Sequence, residues 1–181
     1  MKSLLKKINS FEETQDRINA LKDACKDETA YLITCGPSLT THNRKKLIKK
    51  LTDDAIAIIM ALKCRDLDVV AVTTVAGNVD INLASTNALY TCELCGYKIP
   101  VYKGASGPLK RKLETSKFFH GKDGLGDTGP YKTKGKIRKT YAVDKIISLL
   151  KEYPNDLEIN SIGPLTNIAK DYKKDPEAFR L

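Results

Sequence analysis

Val69-Val70-Ala71-Val72-Thr73-Thr74-Val75, breaking at Ala76-Gly77-Asn78, is the stretch whose reading decides the fold. A near-continuous β-branched run of this length reads as a strand buried on both faces, as in a parallel sheet covered by helices. Just upstream, Thr52-Asp53-Asp54 opens a helix that runs through Ala55-Ile56-Ala57-Ile58-Ile59-Met60-Ala61-Leu62 and ends near Lys63-Cys64-Arg65. Apolar on every side, that helix is expected to be buried as well. Thr52 suits the N-cap, the two aspartates suit the positive end of the helix dipole, and the closing cations suit its other end. Two carboxylates at the mouth of a buried helix, and an Asn on the glycine turn that ends a buried strand, put polar groups at one edge of a sheet. In open α/β sheets, ligands bind at that edge, outside the carboxyl ends of the strands.

Outward from this centre, strand and helix alternate. Residues 80–95 carry Ile81, Ala84, Ala88 and Leu89 on one helical face, with Gly96 as the stop. Ile99-Pro100-Val101-Tyr102 reads as a short strand whose Pro marks a strand start or an edge. A helix over 140–152, a strand over Leu157–Ile162 and a helix opened by Gly163-Pro164-Leu165-Thr166 follow. On the other side, capping-box spacing at Ser10-Phe11-Glu12-Glu13 predicts a helix over 11–26. Ala30–Cys35 reads as a short buried strand, and residues 41–51 as a basic amphipathic helix. The alternation argues for an α/β fold with a mostly parallel sheet flanked by helices. Gly104 to Gly135 is the longest stretch without periodicity; glycine-rich and holding His120, it is expected to be functional or mobile.

Length and composition narrow the class. A chain of 181 residues, 41% hydrophobic and 29% charged, is that of an ordinary globular protein. The net charge of +9 fits a lysine-rich solvated surface. Nucleic-acid binding is the competing reading, weakened because no aromatic residues interleave with the basic clusters. The five cysteines have no regular spacing, and the opening Met1-Lys2-Ser3-Leu4-Leu5-Lys6-Lys7 lacks an apolar stretch of signal-peptide length. Together these point to a reducing, cytoplasmic setting without a membrane span. Cys92-Glu93-Leu94-Cys95 has redox-motif spacing but falls at the C-terminal end of a predicted helix, where thiols are not activated.

Taken singly, the polar candidates remain open. Asp53 and Asp54 could ligate a hard cation or simply complement a helix dipole; a Ca²⁺ ion takes roughly six to eight oxygens, so two carboxylates do not complete a site. Asn78 could bond a ligand hydroxyl or serve as a turn residue. His120 could contact a ligand or be a loop histidine.

Their order and wording carry more. Asp53-Asp54-Ala55-Ile56-Ala57-Ile58, Val72-Thr73-Thr74-Val75-Ala76-Gly77-Asn78, Thr86-Asn87-Ala88-Leu89, Ile99-Pro100-Val101-Tyr102-Lys103-Gly104, His120-Gly121-Lys122-Asp123-Gly124-Leu125-Gly126 and Gly163-Pro164-Leu165-Thr166-Asn167-Ile168-Ala169 resemble, in order and spacing, the inosine–uridine-preferring nucleoside hydrolase family. The resemblance covers about residues 53–181. It implies a Rossmann-like nucleoside hydrolase fold and hydrolysis of the N-glycosidic bond of ribonucleosides to ribose and free base, a reaction of purine and pyrimidine salvage. It also implies a bound Ca²⁺ that holds the 2′ and 3′ hydroxyls and a water, and an aspartate that takes the water's proton. By position, Asp53 matches the general base, Asp54 a calcium ligand and Thr166 a calcium ligand through its carbonyl. Asn78 matches a ribose contact, and His120 lies in the motif that faces the substrate.

The family opens with Asp-x-Asp-Pro-Gly-x-Asp-Asp; here Leu47 and Lys49 stand where its first two aspartates belong, and Lys50-Leu51 replaces Pro-Gly. A Lys offers no acceptor to a cation, so the calcium site is expected to be incomplete. Family residues beyond the Gly-Pro-Leu-Thr motif, including a His-Asp pair, have no counterpart: His42 and His120 are the histidines, and neither precedes an Asp. Residues 1–50 read as a helix/strand extension of other origin, or with Ala30–Cys35 as a stand-in first strand, and 51–181 as a partial hydrolase domain, incomplete on its C-terminal side. Three functions follow as expectations: a hydrolase, a truncated or fused remnant that keeps the fold without catalysis, and a basic nucleic-acid-binding protein. A partial domain exposes an apolar face or a sheet edge. Sedimentation velocity is therefore expected to show self-association that grows with concentration; a concentration-independent monomer would contradict it.

Overall fold

The computed structural model describes residues 29–35, 53–127, 129 and 131–180. The helices expected over 11–26 and 41–51, and Thr52 as a cap, lie outside the described residues. Four strands form one all-parallel sheet: β1 (Thr29–Cys35), β2 (Leu67–Thr74), β3 (Val101–Lys103) and β4 (Leu157–Ser161), in the order β3-β2-β1-β4. The helices are α1 (Asp53–Lys63), α2 (Ile81–Leu94), the single turn α3 (Lys117–His120), α4 (Ala142–Glu152) and α5 (Thr166–Lys174), with a 3-10 turn at Pro176–Phe179. The chain steps from β1 through β2 to β3, then returns by way of α4 to place β4 on the far side of β1. In open α/β sheets such a reversal marks the carboxyl ends of the central strands as the edge where ligands bind.

The sequence pattern accounts for this arrangement. Every residue from Ala71 to Val79 is buried, as the β-branched run requires of a strand with neighbours on both faces. No residue from Asp54 to Leu62 is exposed, in keeping with the all-round apolar character of α1. On one face, Ile58 and Leu62 of α1 and Ala88, Leu89 and Cys92 of α2 pack with Val69, Val72 and Val101. On the other, Ile146 and Leu149 of α4 pack with Ala71, and Leu157, Ile159 and Ile168 border them. Asp80 caps α2 by accepting the N–H groups of Asn82 and Leu83 at 3.1 and 3.2 Å. Gly96, with φ +83°, ends the same helix. Pro100 immediately precedes β3, which is an edge strand, as its sequence suggested.

Cys64, Cys92 and Cys95 are free thiols. Burial pushes the Cys92 thiol up to about 12 and raises that of Cys95 as well, so the pair packs rather than reacts. Among the described residues no helix is long and apolar enough to cross a membrane.

One buried group works against the fold. Asp171 on α5 is fully buried, and neither carboxylate oxygen has a hydrogen-bond partner among the described residues. Desolvation pushes its carboxyl up to about 7; Asp144 on α4 adds to the rise, and Lys174, paired with Asp144, opposes it. Below pH 3.8 both folded and unfolded chains hold this proton. Between there and about pH 7 only the unfolded chain has released it, so stability falls as pH rises. Thermal melts are expected to show Asp171→Asn more stable than wild type at pH 8, by up to about 4 kcal/mol from this group, with the difference shrinking toward pH 4.

Candidate functional site

A cleft opens at the carboxyl edge, between the N-terminal turn of α1, the turn after β2, the first half of α2 and a glycine loop. Asp54, Ala55 and Ile58 come from α1, Val75 to Val79 supply Gly77 and Asn78, Asn87 and Thr91 come from α2, and Gly124 and Leu125 close one side. Asp54 sits at a helix N-terminus, where the dipole favours its negative charge.

Asn78 is the unusual member. It is 7% exposed, and neither its Oδ1 nor its Nδ2 has a hydrogen-bond partner among the described residues. Its backbone is committed instead: the Asn78 carbonyl accepts the Ser116 N–H at 2.9 Å and so anchors the start of α3. Two residues earlier, the Ala76 N–H donates to the Ala105 carbonyl at 2.9 Å. The turn is thus fixed by its main chain, leaving the carboxamide free to meet something in the cleft.

The stretch expected to be functional or mobile is laid down along α2. Asn87 Nδ2 donates to the Asp123 carbonyl at 2.8 Å, Tyr90 stacks on Tyr131 with ring centroids 4.3 Å apart, and Glu93 accepts the N–H groups of Lys134 and Gly135. Those backbone donors hold the Glu93 carboxyl below its usual range. Within the loop, the Asp123 carboxylate accepts, among the described residues, the N–H groups of Leu125 at 2.8 Å, Asp127 at 2.8 Å and Gly129 at 2.9 Å. Gly124 has φ +73°, and a Cβ there would press on Val79 at 2.6 Å. Leu125, 1% exposed, is thereby held against the cleft.

Of the residues singled out in the sequence, Asp54 and Asn78 meet in this cleft. Asp53 is the first residue of α1, and its side chain lies outside the described residues. His120 is buried at the end of α3, and Thr166 is buried at the first position of α5; neither lines the cleft. Two residues without an assigned role in the sequence matter here. Asp123 organises the loop, and Asn167 ties strand ends together from within the Gly-Pro-Leu-Thr-Asn motif. Only their place inside quoted motifs could have signalled them.

The described donors on the cleft fall short of a calcium shell. Among the described residues no three His, Cys, Asp or Glu side chains gather to hold a metal, and Asp54 is the one described carboxylate on the cleft. A calcium shell needs roughly six to eight oxygens.

Comparison with known proteins gives the lineage. Residues 50–181 match the family described as "Inosine-uridine preferring nucleoside hydrolase". Uridine nucleosidase 1 of Arabidopsis thaliana is 40% identical over 126 residues, which are 68% of this chain and 37% of that protein. The pyrimidine-specific ribonucleoside hydrolase RihB of Escherichia coli is 34% identical over 124 residues, 68% of this chain and 40% of its own. Among solved structures, a plant nucleoside hydrolase, PpNRh1, superposes with a TM-score of 0.71 at 36% identity, covering 83% of this chain and 44% of that one. A purine-preferring ribonucleoside hydrolase from Gardnerella vaginalis gives 0.71 at 31% identity, covering 82% and 45%. The chain spans less than half the length of the relatives it matches.

The Asp123 hub yields a direct test. Asp123→Ala leaves three backbone N–H groups without their acceptor, at an expected cost of roughly 1–3 kcal/mol. Limited proteolysis is expected to cut the variant between residues 121 and 135 well before the rest of the chain, whereas wild type resists there.

Proposed function

The chain belongs to the inosine-uridine preferring nucleoside hydrolase family, and from that premise we propose that its cleft receives the ribose of a ribonucleoside and that its reaction is hydrolysis of the N-glycosidic bond. The observation that carries the proposal is the Asn78 carboxamide, buried on the cleft with neither polar atom partnered among the described residues. An unsatisfied buried amide costs roughly 1–3 kcal/mol. Ribose hydroxyls, each donor and acceptor at once, match both its groups. The relatives' names refer to uridine, pyrimidine and purine substrates. The sugar is what such substrates share, which supports a ribose-centred cleft.

In this reading Asp53 accepts a proton from water while the water oxygen bonds to the anomeric carbon. The C–N bond breaks, and its electron pair leaves with the base. The carboxylates of Asp53 and Asp54 stabilise the positive charge that develops on the sugar. His120 is the position at which the resemblance puts a substrate-facing histidine; here it is buried at the end of α3 and does not line the cleft. Asp54 and Thr166 are the positions at which the resemblance puts calcium ligands; because the described donors fall short of a calcium shell, the chemistry proposed for this chain rests on its carboxylates.

A second reading is favoured by Leu47 and Lys49, which replace two acidic positions of the family: ribose is bound without hydrolysis. The exposed side chains of Phe118 (87%) and Phe119 (71%), with Leu165 and Tyr172, support self-association. Free thiols at Cys64, Cys92 and Cys95 support a cytoplasmic setting.

The test pairs ribose release from inosine and uridine, with calcium and with chelator, with equilibrium binding of the same nucleosides. Hydrolysis predicts release that Asp53→Asn abolishes. Binding without release, weakened about tenfold or more by Asn78→Ala with no loss of thermal stability, supports the second reading. Neither release nor binding by folded protein overturns both.

A further inference from the structure

We infer that Asn167 is a positioning residue for this site, its carboxamide fixing the turn that carries Asn78; the inference rests on Asn78 being the ribose contact. Asn167 is 1% exposed, near the start of α5. Its Nδ2 donates to the Thr74 carbonyl at 2.9 Å, and its Oδ1 accepts the Ala105 N–H at 2.9 Å. Thr74 is the last residue of β2, and Ala105 lies two residues beyond β3. The Ala105 carbonyl in turn accepts the Ala76 N–H, two residues before Asn78. One side chain therefore holds Thr74 directly and Ala76 through Ala105, on the short segment that leads into the turn.

The chemistry of that position is restrictive. A carboxamide donates and accepts at the same reach; a carboxylate lacks the donor, and an aliphatic chain lacks both. Gly104 is part of the device, because a Cβ there would overlap both Asn167 side-chain heteroatoms and the Thr74 carbonyl. Asn78 brings no side-chain bond of its own to the turn among the described residues. Its placement comes from two backbone anchors, Ala76 on Ala105 and Asn78 on Ser116, and Asn167 holds the first. The residue next to it, Thr166, is also a position that the family resemblance marks. Displacing Asn167 would thus move the cleft's polar wall without touching a ligand.

The test uses amide hydrogen exchange on the full chain together with inosine and uridine binding, in wild type, Asn167→Leu and Asn167→Asp. In Asn167→Leu the Ala76 and Ala105 amides are expected to exchange at least about tenfold faster than any change at Ile146 and Leu149 in the α4 core, and nucleoside affinity to fall by about tenfold or more. Asn167→Asp keeps the acceptor, so Ala105 should stay better protected than in the leucine variant. If Asn167→Leu does not fold, Asn167→Asp is read against wild type by the same comparison. Equal acceleration at Ala76 and in the α4 core would overturn the inference, leaving Asn167 a contributor to global stability alone. So would unchanged affinity with Ala76 deprotected. Absence of nucleoside binding by wild type would defeat the ribose reading instead, and the Ala76 exchange would then decide the role of Asn167 by itself.

Discussion

The carboxamide of Asn167 is the contact on which the carboxyl edge of the sheet depends. β3 pairs with β2 through only three residues, Val101 to Lys103 against Val72 to Thr74. Beyond Thr74 the ladder no longer fixes the chain, yet the turn that forms the cleft lies there. Buried backbone groups at that point must still find partners. Asn167 supplies them for Thr74 and Ala105 across separations of 93 and 62 residues, and the Ala76–Ala105 bond extends the coupling past the last strand residue. The edge of the sheet is thus set by side-chain chemistry where strand pairing gives out.

The opposite wall of the cleft is set by α2. Asn87, Tyr90 and Glu93 stand three residues apart, on one stripe of the helix, and each grips the loop that follows α3. A glycine-rich segment with little secondary structure takes a defined path because a helix gives it a row of contacts and Asp123 gives it an internal acceptor. The lack of periodicity in its sequence reflects this: the loop's order comes from bonds between backbone and side chains, which need no apolar repeat.

Thr73, Asn78 and Asp171 carry buried side-chain polar atoms without partners among the described residues, and the settings of Asn78 and Asp171 differ. Asp171 lies on the face of α5 that packs against α4, away from the cleft, and its burial without a partner raises its carboxyl to about 7. It is a cost the α4–α5 interface carries at neutral pH. Asn78 lies at the sheet's carboxyl edge, on the cleft, with its carbonyl accepting the Ser116 N–H. There a carboxamide without partners among the described residues fits the ribose contact proposed for it.

The sequence by itself determined the elements and their class. The β-branched run 69–75, the apolar α1, the stop at Gly96 and the position of Pro100 were legible because burial and backbone conformation are written locally, in periodicity and in residue shape. The polar pair Asp54 and Asn78 was legible too, since both fall at element ends that a parallel sheet turns toward one edge. The strand Thr29–Cys35 could be read as a strand, but its place between β2 and β4 is a matter of pairing, on which its own residues are silent. The roles of Asn167, Gly104 and Asp123, and the path of the loop along α2, were decided only by tertiary structure. Each depends on a backbone group brought close by the fold, and neither the distance of that group nor its unmet hydrogen bond can be read from neighbouring residues in the chain.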